Sequence, residues 1–289
     1  MTPARRIAAE FATSRFALAG LALLALVLLA AAFAPWISPQ NPYDLARLDL
    51  LDSRLPPGAR SAAGAIYWLG TDDQGRDMLS AILYGLRTSV AVGFASTTLG
   101  LAIGVSLGLA AAWLGGWLEA LIMRLADLQL SFPSILIALV LLAVLGQGLD
   151  KIIVALVAVQ WAYYARTARA AALVERRKEY IDAAVALAFS DARIIFRHLL
   201  PNCLPPLLVL ATVQVAGAIT LEATLSFLGL GLPITQPSLG LLISNGFNYL
   251  LSGHYWISVF PGIALLLAVV SINLVADRLR DVLDPRKRR

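Results

Sequence analysis

The chain has 289 residues, 59% of them hydrophobic and 14% charged, with a formal net charge of +5 and a mean hydropathy of +0.77. A soluble core of this length cannot hide so much apolar side chain, so the bilayer is the expected solvent. The Lys and Arg residues lie beside apolar runs and form no basic face interleaved with aromatics, which excludes a nucleic-acid partner, and the single cysteine, Cys203, excludes an intrachain disulfide and a CxxC metal or redox site.

Runs of about 20 apolar residues mark candidate spans. Six occur, at 16–35, 88–114, 120–145, 152–173, 204–229 and 256–276, and predict an all-α polytopic protein with six transmembrane helices. The first follows Arg5, Arg6 and Arg15 and ends near the cleavage-like Ala32-Phe33-Ala34. It outlasts the apolar region of a signal peptide, which covers about 7–15 residues, and reads as a retained anchor. The predicted division is a cytoplasmic N-terminus with anchor over 1–35, an outer segment with an interfacial helix over 36–87, a five-span core over 88–277 and a basic tail over 278–289.

In the outer segment, Thr71 followed by Gln74 reads as a capping box with Asp72 and Asp73 in the first turn, so a helix is expected to start there. Asp72, Asp73 and Asp77 lack the alternating ligands and distal Glu of a calcium loop. Gly100, Gly104 and Gly108 share one face of the second span and invite close helix packing. Arg124 and Asp127 are spaced to pair with each other, while Pro133 and Pro261 should kink their helices.

Between the fourth and fifth spans lies a charged amphipathic insert, Glu179 to Asn202. Tyr180, Ala183, Ala184 and Leu187 recur at helical spacing, Glu179, Asp182 and Arg193 supply a polar side, and Pro201 stops or bends the chain. Further on, Glu222 places a carboxylate in an apolar run. It reads either as a pathway lining, proton relay or subunit contact, or as a hydrogen-bonded packing residue. His198 and His254 each lack a second ligand at metal spacing and read as surface histidines.

Orientation follows the basic residues of the short loops. Arg5, Arg6 and Arg15, then Arg176, Arg177, Lys178, Arg193 and Arg197, then Arg286, Lys287, Arg288 and Arg289 place both termini and the insert in the cytoplasm. The outer segment, with Arg47, Arg54, Arg60, Arg76 and Arg87, is the exception. No lysine (Lys151, Lys178, Lys287) follows a G-x-x-x-x-G pattern, and no G-x-S-x-G or HExxH run occurs, so this chain is expected neither to bind ATP nor to act as an enzyme by itself.

Asp182-Ala183-Ala184, then Ala188, then Leu200-Pro201 resemble the cytoplasmic EAA loop of binding-protein-dependent ABC importers, here spanning about 174–203. The run LGTDDQGRDMLSAILYGLRTS from Leu69 to Ser89, the stretch Leu221 to Gly231 and the ending Asp277 to Arg286 are similar to the C-type permease subunit of the dipeptide/oligopeptide/nickel family. This resemblance implies a type I importer permease fold in a bacterial or archaeal inner membrane. It further implies a homologous second permease, two cytoplasmic ATPase subunits carrying ATP and Mg, and an extracytoplasmic solute-binding protein. This chain itself would hold no cofactor or metal. The substrate implied is a di- or oligopeptide, with nickel or a metal chelate as the alternative. A self-sufficient secondary transporter or channel, with Glu222 as ion relay, is the rival of a different class. Carried onto this sequence, the ATPase-coupling residues are Glu179, Asp182, Ala183, Ala184, Ala188, Asp191, Leu200 and Pro201. Two depart from the family pattern: Asp182 stands for the usual Glu, and Ala188 stands for the usual Gly at a turn.

Overall fold

The computed structural model describes residues 9–44, 48–61 and 64–283. Arg5, Arg6, Arg47 and the tail 284–289 lie outside the described residues. Helix α1, Arg15–Ile37, begins where the Ser14 hydroxyl accepts from Ala17 N, so one polar residue before the apolar run starts the anchor. The segment that follows carries a two-stranded antiparallel ribbon, β1 (Ala59–Arg60) and β2 (Ile66–Tyr67), pairing Ala59 with Tyr67.

Helix α2, Met78–Leu114, is 37 residues long and runs without a break through the second predicted span. Its cap is Asp77, whose carboxylate accepts from Ser80 N at 2.8 Å, so the helix starts six residues later than the Thr71 capping box predicts, and among the described residues no separate α-helix lies between α1 and it. The Thr71 hydroxyl is engaged elsewhere: it donates to Asp52 O at 2.5 Å and accepts from Leu55 N at 2.7 Å.

The third predicted span is not one helix. It divides into α3 (Gly116–Leu130) and α4 (Ser134–Leu145), which meet at 94° across Ser131-Phe132-Pro133. Pro133 removes a donor and Ser131 turns its hydroxyl onto Asp127 O, so the ladder ends there. Helix α5, Leu149–Glu175, follows a turn in which Gly146 and Gly148 take positive φ. Short α6, Glu179–Ala186, leads to α7, Asp191–Phe227, whose Ile194–Leu199 portion is π-helical. Helices α8 (Leu239–Phe247) and α9 (Trp256–Leu283) complete the chain, α9 continuing through Pro261.

Among the described residues, four helices (α1, α2, α7, α9) are long and apolar enough to cross a bilayer, or five when the bent α3/α4 pair counts as one span. The remaining predicted span, the fourth at 152–173, is α5. Its 27 residues extend about 40 Å, but Arg166 and Arg169 dilute its hydropathy. Part of it is buried against protein, with Ile152, Ala155, Leu156, Ala162, Tyr164 and Ala168 fully buried, while Val154 and Tyr163 remain exposed. Its most extensive packing is against α2, where Gly104 and Gly108 let the backbones touch. A Cβ at Gly104 would overlap Trp161 O, and one at Gly108 would overlap Ala165 O; Gly100 faces Gln160 and Tyr164 more loosely. Asp127 pairs not with Arg124 but with Arg166 of α5 at 3.3 Å, and Glu119 holds Arg169, so α3 is clamped to α5 by two ion pairs.

Candidate coupling segment and translocation groove

At one end of the bundle, the α5 to α6 turn is tied to the end of α2. The Arg176 guanidinium donates to Ala112 O and Trp113 O, at 2.7 and 3.0 Å, and lies 5.0 Å over the Trp113 ring. It thereby satisfies carbonyls that the end of α2 leaves without helical partners. Glu175 accepts from Lys178 at 2.6 Å and from the Tyr180 hydroxyl at 2.7 Å. Burial, then the Glu175 carboxylate, pushes the Tyr180 phenol up to about 12, so it stays a donor.

Helix α6 turns Ile181 and Ala184 inward, where with Ile194 they form a small core against Trp113 and Phe189. The face predicted from Tyr180, Ala183, Ala184 and Leu187 is therefore split. Ala184 is 4% exposed, whereas Glu179, Tyr180, Asp182 and Ala183 face outward together with Val185 (55%) and Leu187 (68%). Ile181, three residues before Ala184, is the sequence signal for the buried side.

The helix ends in a Schellman motif: Phe189 N donates to Ala184 O at 3.2 Å and Ala188 N to Val185 O at 2.9 Å. The residue between, Ala188, has φ +54°, a left-handed conformation that a Cβ disfavours. Asp191 opens α7 and is exposed, and Leu200 N reaches back to Ile195 O, closing the π turn. Pro201 lacks the donor that would continue an α ladder, and the Asn202 amide donates instead to His198 O at 2.7 Å. Neither histidine stands on an open surface: His198 stacks on Phe189, and His254 packs edge-on against Tyr249 and Trp256.

Midway along the bundle, an open groove of about 420 Å³ runs between α4, α5, α7 and α9. Ser134, Gln160, Tyr163, Gln214, Thr220, Thr224 and Asn273 supply its polar lining, and none of its lining residues is charged. The break at Pro133 brings Ser134 into this wall. Glu222 does not reach the groove. It is 0% exposed on another side of α7, accepting from Ser89 of α2 at 2.7 Å and from Ser226 at 2.8 Å. Ser238, the N-cap of α8, lies near the same carboxylate.

At the opposite end, the Leu69–Ser89 run forms a buried polar knot. Asp72 and Arg76, both fully buried, pair at 2.6 Å, and Asp72 also accepts from Gln74 N and Arg76 N. Arg76 donates onward to Ile234 O, and the Trp256 indole donates to Thr71 O, each at 3.1 Å. Burial, reinforced by the Asp72 charge, raises the Asp73 carboxyl above the ordinary range; burial also raises Asp77. The Tyr67 hydroxyl donates to Asp52 at 2.8 Å, and burial with this contact pushes its phenol up to about 12. Among the described residues no group of three or more His, Cys, Asp or Glu could hold a metal ion.

Long apolar helices around a side-open polar groove define a polytopic α-helical membrane protein. Residues 100–289 match the family model described as binding-protein-dependent transport system inner membrane component, and residues 2–57 match the N-terminal TM domain of oligopeptide transport permease C. The chain is 37% identical over 285 residues to the di/tripeptide transport system permease protein of Pseudomonas aeruginosa, covering 99% of this chain and 93% of that one. It is 38% identical over 285 residues to the dipeptide transport system permease protein of Haemophilus influenzae, covering 99% and 95%. In fold it is similar to a chain of the inward-facing MetNI methionine ABC transporter, with a TM-score of 0.57 and 23% identity over 72% of this chain and 98% of that one. The chain belongs to the family of binding-protein-dependent transport system inner membrane components.

Proposed function

We propose that this chain forms half of the translocation pathway of an ATP-driven importer of di- or oligopeptides. A second, homologous permease closes the open side of the groove. Two cytoplasmic ATPase subunits carry ATP and Mg, and an extracytoplasmic binding protein delivers the solute. The chain sits in the inner membrane with both termini and α6 in the cytoplasm, so the knot around Asp72 and Arg76 faces outward.

The observation that carries this reading is α6. A two-turn helix is anchored on one side by Ile181 and Ala184 and leaves Asp182, Ala183, Val185 and Leu187 facing outward at the end of two long helices. Apolar side chains left outward beside a carboxylate suit a protein partner. That partner, closing on ATP, would push α6 and, through the π segment and Pro201, the base of α7. The spans then alternate between two packings that solute and nucleotide bias from opposite sides. The peptide substrate rests on the full-length likeness to the dipeptide and di/tripeptide permeases.

The test is uptake into vesicles of defined composition. Peptide uptake should require ATP, both ATPase subunits and the binding protein. Gradient-driven uptake by this chain alone would overturn the importer reading, and uptake of nickel but of no peptide would overturn the substrate. Cysteines at Ser61 and Ser252 should react with an impermeant thiol reagent from outside only; labelling of Ser61→Cys from the cytoplasm alone would reverse the orientation.

A further inference from the structure

Gly217 lies in the middle of α7 and lines the groove. A Cβ built there meets nothing within 4 Å, whereas at Gly93, Gly104 and Gly108 it would overlap a neighbouring helix. Packing within this chain therefore does not require a glycine at 217, and a helix interior disfavours one relative to alanine. Gly262 of α9 is equally unobstructed but does not line the groove. Gln214, Gly217, Leu221 and Thr224 all line it, at intervals of three and four along one face of α7. The missing side chain is thus a gap in the wall, flanked by amide and hydroxyl groups and by no charge.

We infer that Gly217 sets the width of the solute path, and that this wall accepts a net-neutral, hydrogen-bonding solute such as a zwitterionic short peptide, sorting by bulk rather than by charge. The inference rests on the pathway proposed above. Uncharged amides and hydroxyls offer exchangeable hydrogen bonds to a peptide backbone without an ion pair that would hold either terminus in place. A side chain added at 217 would project into the groove without disturbing the helix that carries it.

The experiment uses the complete transporter in liposomes, with Gly217→Ala, Gly217→Leu and Gly217→Trp. Uptake of dialanine and diphenylalanine should fall in the order of added volume, diphenylalanine first. Gly217→Trp should lose at least tenfold while retaining both permeases, the ATPase subunits and ATP hydrolysis. Full uptake by Gly217→Trp would overturn the inference, as would loss of the second permease on co-purification, which would make Gly217 a subunit contact. A readout free of the substrate is Gly217→Cys in a Cys203→Ala background. A water-soluble cationic thiol reagent should modify it; modification by a lipid-soluble maleimide alone would place it against lipid and sink the inference. A native transporter that takes up neither peptide would sink the peptide reading, leaving thiol labelling to decide the groove.

Discussion

The Ser89 hydroxyl of α2 donates to the Glu222 carboxylate of α7 at 2.7 Å, in a site closed to solvent. Ser226, one turn further on α7, donates to the second oxygen, and Ser238 brings the first turn of α8 close to the same carboxylate. Close backbone approach surrounds this junction: a Cβ at Gly240 would overlap Ala223 O. Three elements distant in sequence meet at one carboxyl, which an apolar bundle tolerates because its oxygens have donors.

Glu222→Ala should therefore act on stability. It leaves the Ser89 and Ser226 hydroxyls facing a cavity, at a cost of about 1–3 kcal/mol. Glu222→Gln keeps a carbonyl acceptor and should be the milder change. Thermal melts of the purified chain check the order. Because the carboxyl is enclosed, uptake at fixed ATP should not respond when the proton gradient is collapsed; a gradient-dependent loss that Glu222→Gln abolishes would make it a relay.

Ala188 gives a second expectation. At φ +54° an alanine pays a steric cost of roughly 1–2 kcal/mol that glycine escapes, offset by about 0.4–1 kcal/mol through glycine's freer unfolded chain. Ala188→Gly should stabilise the end of α6 by about 0.5–1 kcal/mol, seen as slower hydrogen exchange at the Phe189 amide, which donates to Ala184 O. Ala188→Val, with a branched Cβ, should accelerate it.

Much of this was legible in the sequence, and what was not depended on distant partners. Apolar runs are readable because a backbone in lipid must satisfy itself within a helix. The strain at Ala188 was also readable, since a turn that takes glycine elsewhere has alanine here. Thr71 misled because its hydroxyl serves Asp52, 19 positions earlier, while Asp77 with Ser80 caps the helix. Pro133 announced a break but not its 94° angle, at which α4 seats Ala138 and Leu142 in a cluster with Ile152 and Leu156 of α5. Asp127 had a local candidate in Arg124 and took Arg166 instead, because α5 packs beside α3.

The knot around Asp72 and Arg76 should respond to pH through Asp73 and Asp77. Both carboxyls are raised by burial, so the folded chain holds these protons more tightly than the unfolded chain. Stability contributed here is present at low pH and declines as pH climbs from the ordinary aspartate value of about 4 through the raised folded values. Asp77→Asn keeps an acceptor for Ser80 N and should flatten the Asp77 share of that decline. Asp77→Ala should lose the cap as well, about 1 kcal/mol at all pH values. Melts from acid to neutral pH separate the two; an unchanged slope in Asp77→Asn would reassign the effect to Asp73.

The sharpest test of the coupling segment is the contrast between neighbours on α6. Ala184 lies in the small core with Ile181 and Ile194, so Ala184→Trp overfills it and should cost about 1–3 kcal/mol, lowering the melting temperature whether or not an ATPase is present. Ala183 faces outward, so Ala183→Trp should leave the melt of the isolated chain unchanged and instead block close approach of a partner. Asp182→Lys should behave like Ala183→Trp by reversing a charge that a docked surface would partly desolvate. Co-purification of the ATPase subunits and ATP-dependent uptake, at matched membrane abundance, should both fall at least tenfold in these outward variants. If Ala183→Trp and Asp182→Lys retain the ATPase and full uptake, the outward face of α6 is merely solvated, and contact with the ATPase must be sought elsewhere on the chain.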